Sequence, residues 1–571
     1  MAVVQAASRS RSAGGKWQVK RGGEQQAALG TGPATTSPSL RMGESMFEFP
    51  DRFNAAYDLL DSALERGWGE RIALRATDGA NVSYAQVAQS ANRVGNALRE
   101  LGVEIENRVL MSVVDGPEFV STFLGAIKLG AVPIPVNTNL LADDYAYFLN
   151  DSRAKVAIVS APQAEAIGNV RSQLRWLRHL VVVGEPGAGQ LGFAEITEAA
   201  SPELTPAYTG PDDVCFWLYS SGTTGVPKGI VHLQHDMRTC VELYAKPILG
   251  IQADDIVFSV AKLYFAYGLG NSLYFPLSVG ASAVLLAGPP APATVLDVVR
   301  RFRPTIYCAV PTSYANTLGV GAGPWTAADF MSVRTCVSAG EPLAGSILQR
   351  WKERSGTDIL DGIGSTECCH IFISNRTDDI RPDCSGRIVP GYEARVVDDQ
   401  GGEVPDGEVG NLMVKGESAF AYFWNQHQRT KQTLIGEWIQ TGDKYLRDAD
   451  GYFYYQGRSD DMLKVGGIWV SPAEVEACIN QHPSVLECAV VGLKDSNALI
   501  KTCAYVVLQP TVQGEHALED SLRAHVRERL AHFKCPREFR FVGALPKTAT
   551  GKIQRYKLRR VSAESGEVPR A

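Results

Sequence analysis

Apolar positions along this chain switch repeatedly between a helical period and short unbroken runs. Residues 119–129 carry apolar side chains at helical spacing and predict a helix, whereas 131–136, 156–160 and 281–286 are compact β-branched runs that predict buried strands. Val214, Phe216, Trp217 and Leu218 read as a further buried strand, feeding a polar loop rich in glycine and hydroxyls. The alternation runs from about residue 53 to about residue 457 and predicts an α/β fold: a large layered N-terminal domain of parallel-rich sheets with helices. In open sheets of that kind the glycine-rich loops lie at strand ends, where ligands bind.

After Asp460 the pattern becomes that of a small α+β unit. Residues 472–480 and 518–530 predict helices, 485–491, 503–508 and 538–542 predict strands, and a basic tail follows. The junction Arg458-Ser459-Asp460-Asp461 is short and polar, with neither Pro nor Gly inside, so it reads as a hinge. The expected organisation is a disordered extension or over-called start at 1–45, a large domain at 46–459, a small hinged C-terminal domain at 460–562 and a tail at 563–571. Residues 1–41 carry six basic residues, one acidic residue and no continuous apolar segment, so they do not read as a secretory signal; over a transit peptide, a disordered extension or an over-called start is expected, with Met42 or Met46 as initiator. No internal repeat is visible, and no carrier-protein segment follows the tail.

Composition narrows the function. A chain of 571 residues is too long for one core. A net charge of −6 gives no reason to expect nucleic acid or an anionic membrane as partner. No apolar run approaches the roughly 18 residues of a membrane span. Eleven cysteines, an odd number without a Cys-x-x-Cys pair, fit a reduced cytoplasmic compartment and no zinc site.

Chemistry concentrates in Tyr219-Ser-Ser-Gly-Thr-Thr-Gly-Val-Pro-Lys-Gly229. Ser220, Ser221, Gly222, Thr223, Thr224 and Gly225 offer hydroxyls and close backbone approach to an anion, and Lys228 adds charge. A Walker loop is excluded, since Lys228 is followed by Gly229 and not by Ser or Thr. Four further motifs follow in order: Asp361-Gly-Ile-Gly-Ser-Thr-Glu367, Thr441-Gly-Asp443, Gly457-Arg-Ser-Asp-Asp-Met-Leu-Lys464 and Pro546-Lys-Thr-Ala-Thr-Gly-Lys552. Together they resemble the adenylate-forming superfamily of acyl-CoA ligases, amino-acid adenylation domains and luciferases, over nearly the whole chain.

That resemblance implies ATP and CoA as co-substrates, Mg²⁺ as cofactor and attack of a carboxylate on the α-phosphorus of ATP. It places Ser220 to Lys228 over the β- and γ-phosphates, Thr366 and Glu367 at the α-phosphate, and the metal at Thr224 and Glu367. A hard ion with one carboxylate and phosphate oxygens suits this. Asp443, following a strand-like run at 437–440, would accept the ribose hydroxyls, with Arg458 as a second contact. Ser338, Ala339, Gly340 and Glu341 would border the adenine, together with Asp361, Gly362, Ile363 and Gly364; Ile363 stands where many relatives carry an aromatic residue. Lys552 would neutralise charge building up at the α-phosphate and acts as the catalytic lysine with Thr366 and Glu367. Rotation about Asp460 would then present Lys464, Gly466, Gly467 and Trp469 to the pantetheine, with Lys534 and Arg537 toward the CoA phosphates. No residue stands out as the base for the thiol.

The substrate pocket is similar to that of the benzoate-CoA ligase branch, in Lys262-Leu-Tyr-Phe-Ala-Tyr-Gly-Leu-Gly-Asn271 and Gly364-Ser-Thr-Glu-Cys-Cys-His-Ile-Phe372. Phe265, Ala266, Tyr267 and Gly268, with Ile363 and His370, would make a short, flat pocket suited to one ring. The chain departs from the branch at Cys368-Cys369, where larger residues are usual, which leaves hydroxy- and aminobenzoates open beside benzoate. The implied partners are an aryl carboxylate, ATP and CoA, with a homodimer left open. Four competing readings are an aliphatic medium-chain ligase, a stand-alone adenylation enzyme loading a carrier protein, a luciferase-like oxidoreductase, and a non-catalytic sensor on the same scaffold.

Overall fold

The computed structural model describes residues 47–220, 227–319, 324–458, 463–465, 468–494, 500–509, 515–530, 532–547, 553–555 and 557–559. Ser221, Gly222, Thr223, Thr224, Gly225, Asp460, Gly466, Gly467 and Lys552 lie outside the described residues, as do the expected N-terminal extension and tail.

Two parallel sheets organise the long N-terminal part. In the larger one, Ile72–Ala76, Ser282–Leu285, Ile256–Ser259, Ile306–Ala309, Thr335–Ser338 and Ile359–Gly364 run parallel in that spatial order. Antiparallel strands finish both edges: Asn81–Ser83 on one side, Ile371–Ser374 and Arg387–Ile388 on the other. The second sheet, five strands around Arg108–Ser112 and Val156–Ser160, is parallel throughout. Buried on both faces, these strands are near-continuous in apolar residues, which is why they were readable as short runs.

Local signals set the helices. Tyr84–Glu100 starts at a capping box, in which the Ser83 hydroxyl accepts from Gln86 N at 3.2 Å and Gln86 Oε1 accepts from Ser83 N at 2.8 Å. Such a cap contributes about 1 kcal/mol. Pro117–Leu129 begins with proline, whose missing N–H costs nothing at a first turn.

Two antiparallel sheets complete this part. Val214–Ser220 and Lys228–Leu233 pair as a hairpin that also takes Tyr422–Phe423. The other contains Val409–Lys415, Trp438–Arg447 and Phe453–Arg458. The strand expected at 437–440 does not stop before Asp443. It continues to Arg447, because Asp443 pairs in register with Arg458 on the next strand. Thr441-Gly-Asp443 imitates a turn in sequence, but Gly442 takes φ +77° inside a strand.

The C-terminal part has its own core. Val485–Lys494 and Ile500–Leu508 pair antiparallel, Glu538–Phe541 joins parallel, and Pro472–Asn480 and Glu515–Arg529 cover the sheet through Val475, Ile479, Leu522 and Val526. Among the described residues no helix is long and apolar enough to cross a membrane.

Candidate functional site

Lys228 opens the second strand of the hairpin, directly opposite Ser220. Its Nζ donates to Glu367 Oε1 at 2.6 Å and lies 4.5 Å from the centre of the Phe423 ring. Burial works to raise the Glu367 carboxyl, but the Lys228 ammonium outweighs it, helped by Arg458, and holds the group below the ordinary carboxylate range. A basic loop end and an acidic turn, 139 residues apart in sequence, therefore neutralise each other.

Glu367 sits in the single turn Thr366–Cys368, and the chain then reverses abruptly. Cys369 takes φ +65° and ψ −38°, and His370 N donates to Cys368 O at 2.7 Å. This is the rarer hand of γ-turn, a conformation costing roughly 1–3 kcal/mol that surrounding contacts must hold in place. Those contacts take three successive carbonyls. Thr366 O lies 2.7 Å from His232 Nε2, Glu367 O accepts from Phe420 N at 2.7 Å, and Cys368 O accepts from Ser418 Oγ at 2.8 Å.

Beyond the γ-turn His370 enters an aromatic enclosure. Its ring centre is 4.5 Å from Phe275, 5.4 Å from Tyr244 and 5.7 Å from Tyr267. Burial pushes the imidazole down to about 3, so it is neutral. His370 Nε2 faces the Tyr267 carbonyl, an acceptor only, at 3.4 Å, which assigns it the proton and leaves Nδ1 as a buried acceptor with no hydrogen-bond partner among the described residues. Gly270 makes the close approach possible: a Cβ there would stand 2.4 Å from His370 Cδ2. Tyr267 hydrogen-bonds Val337 O at 3.0 Å, which ties the enclosure to the sheet. Phe265 packs against Tyr264 at 4.6 Å, and Ala266 and Gly268 lie on the same short helix, Ala266–Leu269. Cys368 and Cys369 are both buried; the Cys369 thiol meets the Tyr274 hydroxyl at 3.7 Å.

Ser338 and Asp361 lie side by side at the carboxyl ends of neighbouring parallel strands, with Gly362, Ile363 and Gly364 completing the second strand. Burial pushes the Asp361 carboxyl well up, only partly offset by the Ser338 hydroxyl and the Gly362 N–H. Ala339 and Gly340 follow, and Glu341 Oε2 accepts from the Thr312 hydroxyl at 2.8 Å. Asp443 Oδ1 receives Arg458 Nη1 at 3.1 Å, and a Cβ on Gly442 would stand 2.9 Å from that guanidinium. Lys228, Glu367 and Arg458 thus share one electrostatic neighbourhood.

Other residues singled out in the sequence lie in the C-terminal part. Lys464 pairs with Trp469 across a two-stranded ribbon. Lys534 Nζ is 2.5 Å from Glu474 Oε1, and Arg537 is exposed beside the Glu538–Phe541 strand. Sequence reading missed His232, Asp236, Tyr244, Phe275 and Ser418. None lies in a glycine-rich motif, and only the His-x-x-x-Asp spacing of 232 and 236 was legible. A concavity of about 330 Å³ between Arg71, Arg75, Asp254 and Asp255 lies at the amino ends of the parallel strands. That is the end away from Ser338 and Gly364, and ligands of such sheets bind at the carboxyl ends.

Comparison with known proteins identifies the family. Residues 61–424 match the AMP-binding enzyme family and residues 474–552 its C-terminal domain. A benzoate–CoA ligase of Thauera aromatica is 49% identical over 92% of this chain and 98% of its own. A 4-hydroxybenzoate–CoA/benzoate–CoA ligase of Rhodopseudomonas palustris is 42% identical over 89% of this chain and 94% of its own. Among solved structures, an anthranilate CoA ligase in complex with anthranoyl-AMP superposes with TM-score 0.86 at 44% identity, covering 90% of this chain and 98% of the other. A benzoate CoA ligase from Burkholderia xenovorans superposes with TM-score 0.82 at 45% identity, covering 89% and 100%.

Proposed function

Because this chain belongs to the family of AMP-binding enzymes, we propose that it joins an aryl carboxylate to AMP using ATP and passes the acyl group to CoA, releasing pyrophosphate and AMP. One observation carries the reading. A single γ-turn separates a carboxylate facing the phosphate-loop lysine from a neutral imidazole packed among aromatic rings.

In the first step a carboxylate oxygen attacks the α-phosphorus and the bond to the β-phosphate oxygen breaks. Two anions must be held in line, and catalysis is mainly positioning and charge stabilisation. Lys228, with Ser220 to Gly225, takes the β- and γ-phosphates, while Thr366 and Lys552 face the α-phosphate. Asp443 and Arg458 take the ribose, and the strand ends at Ser338 to Glu341 and Asp361 to Gly364 border the base. Glu367, ionised and turned toward a cation, fits Mg²⁺ with Thr224. Bound there, the metal supplies charge neutralisation on the phosphates.

In the second step the CoA sulfur attacks the acyl carbon and AMP leaves. The small domain turns about Asp460 to bring Lys464, Gly466, Gly467 and Trp469 to the pantetheine. Lys534, once released from Glu474, and Arg537 serve the CoA phosphates. The His370 Nδ1 acceptor favours an acid whose ring carries a hydroxyl or amino donor, since a donor would fill an otherwise orphaned buried position. The cell compartment that fits eleven buried thiols is the cytoplasm.

The test is CoA-dependent AMP release across benzoate, hydroxybenzoates, aminobenzoates, cinnamate and hexanoate. Turnover of benzoates over hexanoate is expected. Preference for hexanoate moves the enzyme to the aliphatic class, and transfer only to a holo-carrier protein moves it to the adenylation enzymes.

A further inference from the structure

His232 and Asp236 form a buried pair behind the catalytic turn, and the mechanism above leaves both unused. Both side chains are fully enclosed. His232 Nδ1 lies 2.6 Å from Asp236 Oδ2, and Nε2 lies 2.7 Å from the Thr366 carbonyl oxygen. A carbonyl only accepts, so Nε2 carries a proton and donates it. Asp236 is in turn anchored through Oδ2, which accepts from Leu233 N at 3.2 Å; Oδ1 stands 3.2 Å from His235 Nδ1 without a hydrogen bond to it. The Phe216 ring stacks on the imidazole at 5.0 Å and 19°.

The location gives the pair its meaning. His232 lies on the Lys228–Leu233 strand, four residues after the lysine that pairs with Glu367. One strand therefore presents a cation to the Glu367 side chain and a hydrogen-bond donor to the backbone one residue earlier. The turn it grips is strained at Cys369, so the Thr366–Glu367 segment keeps its place only while its carbonyls are held. The other two grips, from Phe420 N and Ser418 Oγ, come from a separate loop.

We propose that His232, oriented by Asp236, is a positioning residue for adenylation, holding the Thr366–Glu367 turn in register with the Lys228 strand. The proposal rests on the adenylate-forming reading. Losing the donor lets the turn shift relative to the phosphate loop, and displacement on the 1 Å scale costs about 100-fold in rate.

His232→Met and His232→Gln separate the donor from the packing, since the two side chains have similar length and volume and only glutamine carries an N–H. Full-length protein is assayed for aryl-acid-dependent pyrophosphate release, and separately for thioester formation from supplied benzoyl-adenylate and CoA. The methionine variant is expected to lose about 100-fold in the adenylation kcat. The KM for the aryl acid and the thioester step should stay near wild type, and glutamine should recover most of the loss. Equal adenylation rates in the two variants, or equal losses in both half-reactions, would overturn the proposal. Wild-type protein that releases no pyrophosphate takes down the functional reading as well, a result distinguishable from the first. If neither variant folds, spectra of wild-type protein with nitrogen-labelled histidine decide: a protonated, exchange-protected Nε2 of His232 is expected, and an unprotonated Nε2 sinks it.

Discussion

In the proposed reaction, charge on Lys552 is required in one half only. It offsets negative charge as the carboxylate meets the α-phosphate, whereas the thioester step consumes an adenylate already made. Lys552→Ala is therefore expected to abolish pyrophosphate release while benzoyl-adenylate and CoA still react. Parallel loss of both would contradict the role. His370 makes a different statement, about acid. Its folded value of about 3 lies below the ordinary 6.5, so above pH 6.5 both folded and unfolded chains carry it neutral and its contribution is complete. As the pH falls from 6.5 toward 3, the unfolded chain binds a proton that the folded one refuses, and stability drops by up to about 1.4 kcal/mol per pH unit. In urea titrations over that window, His370→Asn should flatten the dependence; an unchanged slope would remove the buried imidazole as its source. Residues such as Lys228, Glu367, Asp443 and Arg458 were legible in sequence because their motifs fix local backbone and chemistry together. His232 and Tyr244 were not, because what gives them a role is a neighbour over a hundred residues away.

At the scale of elements, short apolar runs told strand from helix well wherever both faces are buried. The strand at 156–160 and the helix at 472–480 fall where periodicity placed them. The failures share a cause: pairing extends an element past its own local signal. Trp438–Arg447 runs through a Thr-Gly-Asp sequence because Phe453–Arg458 lies alongside it, and Val485–Lys494 outruns its apolar core because Ile500–Leu508 continues the ladder. The Gly270–Tyr274 segment shows the same dependence in a helix, where a missing side chain admits the His370 ring. Gly270→Ala forces that ring to move, an overpacking cost of about 1–3 kcal/mol. The expected kinetic result is a higher KM for the aryl acid with the KM for ATP unchanged. Equal rises in both would place the effect outside the aromatic enclosure.

For the molecule as a whole, the proposed cycle needs the small domain in two orientations, and the hinge proposed at Asp460 is where they diverge. Proline there fixes one backbone angle and deletes an N–H. Asp460→Pro is expected to leave pyrophosphate release intact and to block CoA-dependent AMP release; a variant that turns over both normally would dismiss the hinge.

With phosphate assigned to Lys228 and the metal to Glu367, as proposed, the ion pair between them would set an order of arrival. While the two hold each other, free magnesium meets a carboxylate already satisfied, and a triphosphate meets a lysine already engaged. Each ligand alone must break the pair and strand one charge; the metal–nucleotide complex exchanges both partners at once. On the proposed assignment, the resting enzyme would answer poorly to divalent ions by themselves and would take up the metal together with its nucleotide.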